Sequence, residues 1–280
     1  MPTIAVASRL VYEVAQPTTL LVNVAVATTP RQSIEHERFT VKPNVPQTHL
    51  PVGEERNRFV RLSLEPGEVD ISYEARVRLE PVTEDAPSVE QTDYESLPPQ
   101  VMSYLNPSRY CESDRLASYA LAEFGAMEAN YERVDAICDW IASHIEYRGG
   151  TTTALTTACD VLLQRTGVCR DFAHLGITFC RALGIPARYV SGYACHLDPP
   201  DFHGFFEAYL TGRWFLFDPT RLAPTSGLVR IGVGRDAADT AFATIWGVAQ
   251  LKEKTVSAEA VIGSETVGED NAAEVAVSTA

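Results

Sequence analysis

The most constraining stretch of this chain runs from residue 69 to 79. Val69, Ile71, Tyr73, Ala75, Val77 and Leu79 alternate with polar residues without a break. A period of two over eleven residues fits only a half-buried strand, and a strand with one apolar face must lie against a second layer. Its neighbours have the same character. Residues 10–14, 19–26, 39–42 and 59–64 are short runs rich in branched side chains, and the Pro66-Gly67 dipeptide marks a turn before the alternating strand. Several short strands divided by turns predict a β-sandwich over residues 1–82.

The pattern then changes. Residues 83–100 contain Pro81's successors Pro87, Pro98 and Pro99, many acidic and hydroxyl side chains and no period, which reads as a linker. Helical spacing follows at 114–127, 131–147, 154–163 and 168–183. Thr166 is the expected cap of the last of these, and Gly184 with Pro186 ends it. Residues 187–193, 203–210 and 214–218 read as strands. The second unit, residues 101–255, is therefore α+β, with helices packed on an antiparallel sheet. Residues 256–280, with no aromatics, read as a final strand at best and mostly a flexible acidic tail.

Charge and cysteine usage narrow the function. A net charge of −14 with no basic stripe argues against nucleic acid and anionic membrane as partners. No apolar run approaches the ~18 residues a membrane helix needs. No basic segment followed by an apolar stretch is visible near Met1, so the expected location is cytoplasmic. The six cysteines include no Cys-x-x-Cys pair, so neither a metal site nor a redox motif is expected, and free thiols are the default.

Cys169 differs from the other five in position. At the start of a helix, unpaired backbone N–H groups and the positive end of the helix dipole favour negative charge on sulfur. A nucleophile also needs a base, and the base needs an orienting group. His174 falls on a different face of the same helix, His144 on an earlier helix and His196 in a Pro-rich loop. His203 opens a strand that turns at Thr211-Gly212 and returns through Asp218. With a two-residue turn, Tyr209 faces Trp214, Glu207 faces Leu216 and Phe205 faces Asp218. His203 is then diagonal to Asp218 on one face, within side-chain reach. A slip of two residues would place them opposite, and a slip of one would put them on different faces.

Taken in order, four segments resemble the transglutaminase-like superfamily, and more narrowly its bacterial cysteine-protease branch with a leading β-domain. They are Gly167-Val168-Cys169-Arg170-Asp171-Phe172-Ala173-His174, Arg181 to Tyr193, Asp201-Phe202-His203, and Phe217-Asp218-Pro219-Thr220. Residues 232–239 resemble that branch as well. The resemblance implies a papain-like triad of Cys169, His203 and Asp218, no cofactor and no metal, acting on a peptide or protein through a thioester. The Cys169 backbone N–H is one expected oxyanion donor, with Gln164 or Tyr147 as candidates for the second. Two departures stand out. Gly204-Phe205 follows the histidine where the family often has Ala-Trp, and Gly167-Val168-Cys169-Arg170 replaces the Gly-Gln-Cys-Trp of cross-linking enzymes. Thiol-dependent hydrolysis of amide or peptide bonds is the leading expectation. Amine acyl transfer and a non-catalytic protein-binding module are the alternatives.

Overall fold

A computed structural model describes residues 1–265, 267, 268 and 274–280. The leading strands form two four-stranded antiparallel sheets. The first has the order β15–β1–β6–β3, built from β1 (Thr3–Val14), β3 (Gln32–Lys42), β6 (Gly67–Leu79) and β15 (Ala249–Ala260). The second has the order β14–β2–β5–β4, from β2 (Thr18–Val22), β4 (Gln47–Val52), β5 (Asn57–Leu64) and β14 (Ala243–Trp246). The alternation that defines β6 buries Val69, Ile71, Tyr73, Ala75, Val77 and Leu79, as its period requires. One apolar cluster joins these to Leu20 and Leu62 and continues onto Tyr193, Val229 and Ile231 of the neighbouring unit.

Two of the eight sandwich strands thus come from residues 243–260. A division into 1–82 and 101–255 does not match the sheets, because β14 and β15 return to the leading sandwich. The flexible-tail expectation is corrected in the same way. Residues 256–260 are the end of β15, and β16 (Val275–Ser278) pairs with β7 (Val82–Asp85). The part of that tail at 266 and 269–273 lies outside the described residues. Residues 83–100 are not a free linker either. They hold most of β7 and two 3-10 turns, Ala86–Ser88 and Tyr94–Ser96, and Ala86 and Val89 are buried in the main core.

The second unit is α+β. Its sheet has the order β12–β11–β10–β13, from β10 (Ala187–Ala194), β11 (Phe202–Leu210), β12 (Arg213–Phe217) and β13 (Leu228–Gly234). Four helices accompany it: α1 (Ala117–Phe124), α2 (Tyr131–His144), α3 (Ala158–Gln164) and α4 (Cys169–Ala182). Every residue from Asp171 to Arg181 of α4 is buried. Gly176 allows α4 to approach the ring of Phe206 on β11, since a β-carbon there would meet that ring at 2.7 Å. The two-residue strands β8 (Glu146–Tyr147) and β9 (Thr166–Gly167) pair in parallel just before α4. No helix among the described residues is long and apolar enough to cross a membrane.

Candidate active site

The start of α4 is held by Asp171 rather than by the expected Thr166. Thr166 lies in β9, and the N-cap residue is Val168, whose backbone N–H donates to Asp171 Oδ2 at 3.0 Å. The Thr152 hydroxyl donates to the same oxygen at 2.7 Å, and Arg170 pairs with Oδ1. Asp171 therefore ties the helix start to the loop before α3, and Cys169 is the first helical residue. It is partly exposed, whereas the other five free cysteines are buried.

The β8–β9 pair places Tyr147 opposite Gly167 and beside this turn. Burial and the neighbouring Cys169 push the Tyr147 hydroxyl well above its ordinary value, and Tyr147 lines the same cavity as Cys169. Gln164 is not brought to the site. It is the last residue of α3, exposed, and does not line the cavity around Cys169.

The β11–β12 hairpin has the register that a two-residue turn dictates, with Tyr209 opposite Trp214 and Glu207 opposite Leu216. The ladder stops at Phe217, and the diagonal relation brings His203 Nε2 to 3.1 Å from Asp218 Oδ2. Thr220 completes the arrangement. Its hydroxyl donates to Asp218 Oδ1 at 2.7 Å, its backbone N–H donates to the same oxygen at 2.9 Å, and its Oγ1 is 3.3 Å from His203 Nε2. Sequence reasoning missed this role, although an Asp-x-Thr turn offers that pattern of side chain to backbone bonding.

Burial opposes the charge on His203, but Asp218 and Cys169 outweigh it and push the imidazole up to about 10. Burial likewise opposes the Asp218 carboxylate, but His203 and Thr220 hold it below the usual range. With Nε2 donated to Asp218, the buried Nδ1 has no conventional hydrogen-bond partner, and the Cys169 thiol interacts with the ring alongside Thr220 and the edge-on Phe205 ring. The sulfur lies 4.0 Å from the Phe202 carbonyl oxygen. His174 is buried elsewhere, stacked on Tyr110 and accepting the Ala237 N–H through Nε2 at 3.1 Å. Burial holds it neutral, pushed down to about 4. His144 stacks on Trp140.

Cys169, His203 and Tyr147 open onto a cavity of about 770 Å³, which also reaches Leu10 and Tyr12 of β1 and Leu251 and Lys254 of β15. Among the described residues no group of His, Cys, Asp or Glu side chains has the arrangement to hold a metal ion.

Residues 119–219 match the transglutaminase-like superfamily, and residues 3–93 match the N-terminal domain of bacterial transglutaminases. A crystal structure described as a putative cysteine protease from Cytophaga hutchinsonii superposes with a TM-score of 0.95 at 40% identity, covering 99% of this chain and 98% of that one. An uncharacterized protein of Mycobacterium leprae is 39% identical over 120 residues, which are 39% of this chain and 42% of its own. Human kyphoscoliosis peptidase is 32% identical over 119 residues, 38% of this chain and 18% of its own. The chain thus spans less than half the length of these two curated relatives. It belongs to the transglutaminase-like superfamily.

Proposed function

We propose that this chain hydrolyses amide or peptide bonds through a thioester on Cys169, with His203 as base and acid and Asp218 as the group that orients it. The observation that carries this reading is the bond from His203 Nε2 to buried Asp218, which leaves Nδ1 for the thiol at the start of α4. In the first step the sulfur, whose proton is already carried on Nδ1, attacks the carbonyl carbon. The imidazolium then gives that proton to the departing amine. Water, deprotonated by His203, opens the thioester and restores the thiol.

The oxyanion draws on the Cys169 backbone N–H, one of the unpaired donors of the helix start, and on the Tyr147 hydroxyl. Both groups line the same cavity beside the thiol. The Cytophaga hutchinsonii structure described as a putative cysteine protease and the human relative named a peptidase support hydrolysis as the outcome.

Alkylation by iodoacetamide, followed residue by residue with mass spectrometry between about pH 5 and 9, tests the thiol–imidazole pair. Cys169 is expected to react faster than the five buried cysteines, with His203→Ala removing that advantage. Equal reactivity of Cys169 in the two chains would sink the reading. Turnover of an amide substrate with and without an added primary amine then separates hydrolysis from acyl transfer by product mass.

A further inference from the structure

One wall of the cavity is made by the sandwich. Leu10 and Tyr12 of β1 and Leu251 of β15 line it, together with Phe242 from the connection into β14. Phe242 stacks on Phe202, with ring centroids 4.2 Å apart and planes 20° from parallel. Phe202 in turn presents its carbonyl to the Cys169 sulfur. The apolar wall therefore begins beside the thiol.

A specific irregularity adds Leu251 to this wall. The β1–β15 ladder runs in one register from Ile4 to Val11 and shifts by one residue before Tyr12, leaving Lys252 without an opposite residue. In an unbroken ladder Leu251 would face Glu13, which points to solvent. The bulge turns Leu251 to face Tyr12, on the cavity side. One extra residue thus re-aims a side chain into a site, a recurrent use of β-bulges. The lysine and arginine of the cavity lining are already paired. Lys254 binds Asp201 at 2.6 Å, and Arg170 is held by Asp171. An acidic substrate side chain would find neither of these cations free, whereas an apolar one would cover Leu251, which is 41% exposed.

We propose that the sandwich supplies a specificity subsite, and that the substrate is a peptide carrying a bulky apolar side chain within a residue or two of the carbonyl that meets Cys169. The placement of that carbonyl rests on the hydrolase reading above; the subsite itself is a binding property.

The test separates the two. Peptides differing only in Phe, Leu or Asp at successive positions are titrated calorimetrically into the full chain carrying Cys169→Ala, which binds without turnover. At one position the apolar peptides are expected to bind roughly 10- to 200-fold more tightly than the Asp peptide, the range one apolar contact in a pocket commands. Adding Leu251→Asp is expected to abolish that preference. Phe242→Ala provides a second, uncharged perturbation and is expected to reduce it. Gln250→Asp, one residue away on the outer face, should leave it intact. Equal affinity for apolar and acidic peptides, or a preference that survives both cavity substitutions in folded chains, overturns the subsite. A preference in the binding assay without turnover by the intact chain overturns the hydrolase reading and leaves the subsite standing.

Discussion

The Tyr189 hydroxyl occupies the volume that a β-carbon on Gly204 would need, and the Arg170 backbone nitrogen closes the same space from the other side at 3.2 Å. The residue after His203 is therefore glycine for a packing reason. Strand β11 runs so close to β10 and the start of α4 that no side chain fits. The Gly204-Phe205 departure from the family pattern corresponds to a tyrosine hydroxyl seated at that point. Gly204→Ala must displace Tyr189 or the helix start, and a cost of about 1–3 kcal/mol is expected from such overpacking. Urea denaturation measures the cost, and a loss of Cys169 alkylation rate would follow from the same displacement. Unchanged stability and reactivity would show that Tyr189 moves aside freely.

His203 should remain an imidazolium at neutral pH. Burial works against the charge, but Asp218 and Cys169 push its titration up to about 10. A raised value means that its contribution to stability is full below the unfolded value of roughly 6.5 and is lost as pH rises through about 10. Asp218→Asn removes the adjacent carboxylate and should lower the titration by about 1–3 units. Imidazole carbon shifts followed by NMR read both; an unmodified chain titrating near the ordinary histidine value contradicts the account.

Glu207 is fully buried on β11 between Arg188 and Arg230. Burial alone would raise its carboxyl, but the two guanidinium groups hold it down at about 2. Its stabilising contribution is thus present above the ordinary glutamate range and is lost as pH falls through about 2. Glu207→Gln leaves two buried cations short of a counter-charge and should cost on the order of 3–5 kcal/mol. Arg188 also binds Glu55 at 2.8 Å, in the turn after β4, so the loss should loosen the contact between the sandwich and the sheet that carries β11. Denaturation that stays within 1 kcal/mol of the parent would rule out a structural role for the network.

Ending the chain after Gly247 removes β15 and uncovers the whole length of β1, which it pairs from Ile4 to Val14. The sandwich should then lose protection, with early proteolytic cuts in residues 1–80. Limited proteolysis with mass spectrometry follows this directly, and a cutting pattern identical to that of the parent would mean that β15 is dispensable for the sheet.

Much of this architecture is legible in the residues. Helix α4 and the β11–β12 hairpin are legible because amphipathic spacing and a two-residue turn each leave little choice, and the turn carries Asp218 to His203. Strand β15 is not legible as a sheet member. Residues 250–255 are all exposed, and Lys252, Glu253 and Lys254 are the charges an edge strand carries. Its place is fixed by β1, more than 200 residues earlier, which no local pattern reports. Residues 83–100 fail for a related reason, since short 3-10 turns bury Ala86 and Val89 without any period. Gln164 and Tyr147 could not be ranked because the two-residue β8–β9 pair that brings Tyr147 to Cys169 is too short to leave a signature.

The return of β14 and β15 to the leading sandwich gives the site an order of assembly. During synthesis the ribosome emits Cys169, His203 and Asp218 before the residues that finish either sandwich sheet. The thiol and its base can meet through contacts within residues 147–220, but the wall at Leu251 arrives later and must find β1 across a long loop closure. A nascent chain would pass through an interval with a formed hairpin and a wall still lacking Leu251, which only the closing strand brings to the cleft.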